Sequence, residues 1–207
     1  MSSNIDRKVT MKKFIYVFII VGIAIMAAGC KSSQKDEHIT DSNIELGDYK
    51  NLKVTVEKGT VTEELTKVCK VKELSEGLLD ERVESYIQSF RNTCEKQYGM
   101  TYEAYLSTLQ ISEETFRERS KDTVKKSLEQ ELILLEIAKQ EEIDVDENGY
   151  QEYIQKLMNS YGYEAEKDLY DAYSEESLKN AYICNKVLDK LAETAEVTFV
   201  AVGALND

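Results

Sequence analysis

Histidine and cysteine are the side chains that most readily carry chemistry, and this chain has few of them. The single histidine, His38, stands in a polar stretch soon after Cys30. No Ser-His or Cys-His pair, HExxH helix or Cys2His2 zinc set can be assembled from it. Cys69, Cys94 and Cys184 form no CxxC, so a redox motif is unsupported. Cys94 and Cys184 fall on apolar helix stripes and read as small buried hydrophobes. Outside the cytoplasm the three could supply one disulfide and one free thiol, and the sequence does not choose the pair.

Asp144-Val-Asp-Glu-Asn-Gly149 has the acids, Asn and Gly that open an EF-hand calcium loop. The pattern fails at Gln151, where an aliphatic residue belongs, and at Gln155, where a bidentate Glu would close the shell. A capped helix start explains the same residues. There is also no Gly-rich phosphate loop and no isolated carboxylate pair in an apolar setting. The expectation is therefore a non-enzyme without catalytic residues, cofactor or metal.

Charge narrows the partners. The 207 residues carry a formal charge of −13, and removing the first 29 takes away four basic groups and one acid, so the remainder is more acidic still. Such a surface repels phosphate backbones, which argues against nucleic acid as a partner. Residues 113–126 are dense in Glu and Lys, with like-charged neighbours such as Arg117 and Lys121, and read as a solvated face. The chain has no proline and no tryptophan. Without proline to stop helices, long helices joined by short Gly, Asn and Ser turns are expected.

The N-terminus reads as an address. Lys12 and Lys13 precede an uncharged run, residues 14–29, which ends in Ala27-Ala28-Gly29 before Cys30. A basic start, an apolar core and small residues before a cut make a secretory signal, and 16 residues are fewer than the roughly 20 a spanning helix needs. Met11 is a plausible alternative start. The Ala-Ala-Gly-Cys sequence resembles a bacterial lipobox, with Ala27 where leucine is usual. It implies cleavage after residue 29 and lipidation of Cys30, which would anchor the protein to the cell membrane facing away from the cytoplasm. Residues 30–44 then form a lipidated cysteine and flexible tether, and residues 45–207 the folded domain.

In that domain, residues 52–57 alternate as a half-buried strand does, and residues 197–202 are a second β-branched run that could pair with it. Between them helical spacing dominates. A short helix is expected over 62–74. Another covers 76–98, with Leu79, Val83, Tyr86, Ile87, Phe90 and Cys94 on one stripe. Thr101 to Leu109 is short. Ser112 caps the longest helix, to Gln140, whose segment 132–138 is apolar almost all round and should be central. Asp146 caps the next, with Tyr150, Tyr153, Ile154, Leu157, Met158 and Tyr161 on one face before Gly162. Residues 164–173 are short again. Ser174 opens the last long helix, with a seam of Ala181, Cys184, Leu188, Leu191 and Ala195.

Order and intervals over this stretch carry a resemblance. Glu45-Leu-Gly-Asp-Tyr-Lys-Asn-Leu-Lys-Val-Thr-Val56 resembles the segment by which the trigger-factor ribosome-binding domain leads into the rest of that protein. Residues 78–196 are similar to its C-terminal chaperone domain through Leu79-Asp-Glu-Arg-Val83, Tyr98-Gly-Met-Thr-Tyr-Glu-Ala-Tyr-Leu106, Ile111-Ser-Glu-Glu-Thr-Phe-Arg117, Leu132-Ile-Leu-Leu-Glu-Ile-Ala138 and Lys186-Val-Leu-Asp-Lys-Leu191. The roughly 20 residues between Glu57 and Leu78 are too few for the family's prolyl isomerase domain of about a hundred. The ribosome-binding domain is replaced by the lipid signal, so neither isomerase activity nor ribosome attachment is expected.

The resemblance implies an all-α, mainly helical domain with one small β-pair, whose arms hold unfolded exported proteins without ATP. Tyr86, Phe90, Tyr98, Met100, Tyr102, Tyr105, Met158, Tyr161 and Tyr163 are the candidates to line the client-binding surface, because Tyr and Met adapt to varied apolar partners. A lipoprotein adaptor or envelope assembly factor serving one partner could use the same scaffold.

Overall fold

The computed structural model describes residues 43–55 and 61–198. Seven helices account for most of them. These are α1 (Val61–Val68), α2 (Glu76–Gln97), α3 (Tyr102–Leu109), α4 (Glu113–Gln140), α5 (Glu147–Tyr161), α6 (Glu166–Ala172) and α7 (Glu175–Thr194). The strands are β1 (Ile44–Glu45), β2 (Lys53–Thr55), β3 (Lys70–Val71) and β4 (Glu196–Thr198), with a 3-10 turn at Tyr49–Asn51.

Local chemistry sets most helix bounds. Ser75, Thr101, Ser112, Asp146 and Ser174 each accept a hydrogen bond from the backbone N–H three residues on, satisfying a donor that the first helical turn leaves free. Asp146 makes the shortest of these, 2.7 Å to Gly149 N. Gly162 ends α5 in the left-handed region at φ 73°.

The first helix is shorter than its sequence pattern suggests. α1 stops at Val68 because the chain turns into β3, which pairs antiparallel with β1 in the register Ile44 to Val71 and Glu45 to Lys70. Gly47 makes this crossing close. A Cβ there would lie 2.1 Å from the Val68 carbonyl oxygen. This ladder was not foreseen, and it takes Ile44, the last residue read as tether, into the fold. The expected pairing of the two β-branched runs forms a parallel ladder, with Val54 opposite Val197; residues 199–202 of that reading lie outside the described residues.

Three apolar clusters organise the helices into a base and two arms. In the base, Tyr49, Leu52, Val54, Leu65 and Cys69 meet Ile133, Leu134, Ile137 and Ala138 of α4 and Cys184, Val187, Leu188 and Leu191 of α7. The first arm packs Leu79, Val83, Ile87 and Cys94 of α2 on Tyr102 and Leu106 of α3 and Val124 of α4. The second packs Tyr150, Ile154, Leu157 and Met158 of α5 on Leu169 of α6 and Leu178 and Tyr182 of α7.

Both long helices are thus shared. The N-terminal half of α4 belongs to the first arm and that of α7 to the second, while their C-terminal halves pack together in the base. Segment 132–138 is central as its composition suggests, although Leu135 is only half-buried. Each fully buried Leu or Ile contributes about 1.5–3 kcal/mol relative to exposure.

Candidate functional site

The structure divides the nine candidate residues between the two arms. Tyr86, Phe90, Tyr98, Met100, Tyr102 and Tyr105 are gathered where α2 and α3 meet. Phe90 is the hub: its ring centroid is 5.1 Å from that of Tyr105, 6.3 Å from Tyr102 and 6.5 Å from Tyr86. Phe116, not among the candidates, completes the cluster at 5.0 Å from Phe90.

These aromatic rings are not equally available. Tyr102 is only 3% exposed and is part of the arm's core, which corrects its assignment to a binding surface. Its position at the first turn of α3 points it at α4, and the Arg91 guanidinium covers its ring at 4.5 Å. Tyr86, Phe90 and Tyr105 are half-buried. Tyr98 and Met100 are exposed, with Tyr98 stacked on Tyr105 at 5.9 Å. Leu109, at the last turn of α3, is also exposed at 48%. Sequence reading passed it over because a leucine at helical spacing reads as core.

On the second arm, Met158 is 8% exposed and packs with Ile154 and Leu169, so it too is core and not surface. Tyr161 is 47% exposed, and Tyr163 is half-buried with its ring 6.4 Å from Tyr173. Burial holds the phenols of Tyr153 and Tyr173 above their ordinary pKa, so they remain neutral hydrogen-bonding groups.

Two carboxylates fasten these parts together. Glu141, at the C-terminus of α4, accepts from Lys190 of α7 at 2.7 Å, from Lys50 at 2.7 Å and from Tyr49 Oη at 2.7 Å. Those donors, Lys190 foremost, hold its pKa down to about 2. Asp146 accepts from Lys186 at 2.8 Å and from Tyr182 Oη while capping α5, and lies well below the usual carboxylate range through Lys186 first. Burial first, then the bond to Asp146, pushes Tyr182 up to about 12.

This second cluster explains the calcium-like sequence. The Lys186 ammonium lies 3.3 Å from the Asp144 carbonyl oxygen and 2.8 Å from the Asp146 carboxylate, so an ammonium already occupies the side chain that would be the third-position ligand of such a loop. Gly149 is small because a Cβ there would come within 2.2 Å of Tyr182 Oη. Among the described residues, no three His, Cys, Asp or Glu side chains are grouped to hold a metal. Cys69, Cys94 and Cys184 are buried free thiols, each raised in pKa chiefly by burial, which disfavours the reactive thiolate.

By fold, the protein is a mainly helical two-armed domain whose exposed large apolar residues lie chiefly on the arms. Residues 39–195 match the model of the bacterial trigger factor protein C-terminus, and the chain belongs to that family. It is 30% identical over 129 residues to the trigger factor of Caldicellulosiruptor saccharolyticus, covering 60% of this chain and 29% of that one. It is 29% identical over 128 residues to that of Caldicellulosiruptor bescii, with the same coverage. With the trigger factor of Alkaliphilus oremlandii it shares 25% over 152 residues, 72% of this chain and 35% of the other. The chain thus spans about a third or less of the length of these relatives. No solved structure matches it.

Proposed function

We propose that the protein is an ATP-independent chaperone that holds non-native exported proteins at the outer face of a cell membrane, anchored through lipid on Cys30. The observation that carries the chaperone reading is the exposure of Tyr98 and Met100 at the α2–α3 junction, and of Leu109 at the far end of α3, in a family member. Contiguous exposed apolar surface marks a site that a partner covers. A flexible methionine and a flat tyrosine conform to many partners. Family membership supports the general role. The location rests on the lysines, apolar run and small residues before Cys30, which lie outside the described residues.

The first test uses a soluble form beginning at Lys31. It should suppress aggregation of several unrelated unfolded proteins without ATP. Replacing Tyr98, Met100 and Leu109 together by Ser should weaken suppression while the far-UV circular dichroism stays helical. These three are preferable to Phe90 and Tyr102, whose loss would unpack the arm. Failure of the folded wild type against every client would leave the dedicated adaptor as the better reading. Acyl labelling of the full chain in cells, lost in Cys30→Ser, tests the anchor; an unlabelled wild type would remove it.

A further inference from the structure

Sulfur is placed unevenly in this fold. The chain has four cysteines and five methionines, and Cys69, Cys94, Met100, Met158 and Cys184 fall among the described residues. The three thiols are at most 1% exposed, and burial raises their pKa, so they neither meet solvent nor favour the thiolate. Met158 is buried against Ile154 and Leu169, and its Sδ accepts from the Gln155 amide at 3.9 Å. Of the five, Met100 alone stands in water, 38% exposed.

The turn that carries Met100 keeps it there. Tyr98 and Met100 each donate a backbone N–H to the Cys94 carbonyl oxygen at 3.2 Å, with Gly99 between them at φ 63°. A Cβ on Gly99 would meet no atom within 4 Å, so the turn projects clear of the fold. Met100 thus lies beside the exposed Tyr98, in the surface assigned above to clients.

A thioether is apolar and flexible, whereas its sulfoxide is polar and accepts hydrogen bonds. An oxidant of the peroxide class converts one into the other. The Sδ lone pair attacks a peroxide oxygen, and the O–O bond breaks as the S–O bond forms. The displaced hydroxide takes the proton of the transferred oxygen and leaves as water. Sulfur is oxidised by two electrons and the peroxide is reduced by two. The resulting sulfoxide must lose its water before an apolar client segment can cover it, which costs free energy.

We propose that Met100 is a reversible oxidation site, whose conversion to the sulfoxide by peroxide loosens the protein's hold on clients while the fold shields its other described sulfur atoms. This rests on the chaperone reading and adds to it a control at the binding surface. The shielding matters as much as the exposure. Oxidation of Met158 or of a buried thiol would put a polar group into a core, whereas oxidation of Met100 alters the surface and leaves the packing intact.

The test uses the full chain in vesicles of saturated phosphatidylcholine, treated with hydrogen peroxide that catalase then removes. Peptide mass spectrometry should find the Met100 sulfoxide forming at least about tenfold faster than that of Met158, since susceptibility follows exposure. Cys69, Cys94 and Cys184 should remain open to alkylation once the protein is unfolded. Affinity for a labelled unfolded client lacking Met and Cys, read by fluorescence anisotropy, should fall about fivefold while the far-UV circular dichroism stays helical. Methionine sulfoxide reductases acting on both sulfoxide epimers should restore it. Met100→Leu should show one affinity before and after peroxide, whatever its starting value, and Met158→Leu should lose affinity on treatment as the wild type does. Oxidation of Met158 or of a thiol as fast as Met100 overturns the inference. So does an unchanged client affinity with Met100 fully oxidised, or an equal loss in Met100→Leu. A wild type that binds no client before treatment overturns the chaperone reading itself, and the proposed control with it.

Discussion

The first arm is fastened by ion pairs that cross between helices and by a cluster of rings around Phe90; the second by buried phenols and one carboxylate at its root. Arg82 and Glu131 show the first mode best, since their side chains are only 13% and 14% exposed. Asp146, Tyr182 and Lys186 show the second. An acid opposite a basic residue on a neighbouring helix is part of the structure. One on a short helix with no basic neighbour is left to the solvent or to a partner.

The largest effects should come from testing whether the arms are separate packing units. Ile87→Ala in the first arm and Ile154→Ala in the second, both essentially unexposed, should each cost about 2–5 kcal/mol. Amide hydrogen exchange should quicken in α2 and α3 for the first variant and in α5 and α6 for the second, with the base less affected. Identical exchange patterns would mean one cooperative unit and would break the comparison.

Next in size is the ion pair that binds the first arm to α4. Arg82→Met should destabilise by about 2–3 kcal/mol, because it leaves Glu131 poorly solvated without its partner. Adding Glu131→Gln should restore much of the loss in denaturant unfolding. Additive losses in the double variant would show that the pair does not act as a unit.

A smaller cost, about 1–2 kcal/mol, is expected for Gly149→Ala, which pushes a methyl against Tyr182 Oη and the Asp146 carboxylate. Asp146→Asn combined with it should cost less than the sum, since both loosen the same lock. Full additivity would place the glycine's role elsewhere.

The mildest test is acid. Glu141 in the fold has a pKa of about 2, below the ordinary 4.5. Its contribution to stability is therefore complete above the ordinary value and fades as pH falls from there toward 2. The urea midpoint of the wild type should drop between pH 5 and pH 3, and Glu141→Gln should flatten part of that slope. An unchanged slope would show that Lys190, Lys50 and Tyr49 do not hold the carboxylate in solution as they do in the structure.

Helix starts and stops were legible in the sequence because their causes are local. Ser112 sits three residues before the N–H it caps, Asp146 likewise, and Gly162 adopts without strain the left-handed turn that ends α5. The apolar stripes of α2, α4 and α7 were legible for the same reason, since 3.6-residue spacing is written in one segment. The order of these segments also resembled the trigger-factor C-terminal domain, to which the chain belongs.

Only the tertiary structure decided which stripes share a core, because that depends on residues far apart in the chain. It ended α1 at Val68 by pairing Lys70–Val71 with Ile44–Glu45. It turned Arg117 and Lys121, like charges on one face of α4, toward Glu84 and Asp80 of α2. It set Lys186 where the sequence alone suggested a cation. And it sorted residues of one type by neighbour: Tyr102 meets Phe116 and is buried, while Tyr98, four residues earlier, meets only one ring and faces water.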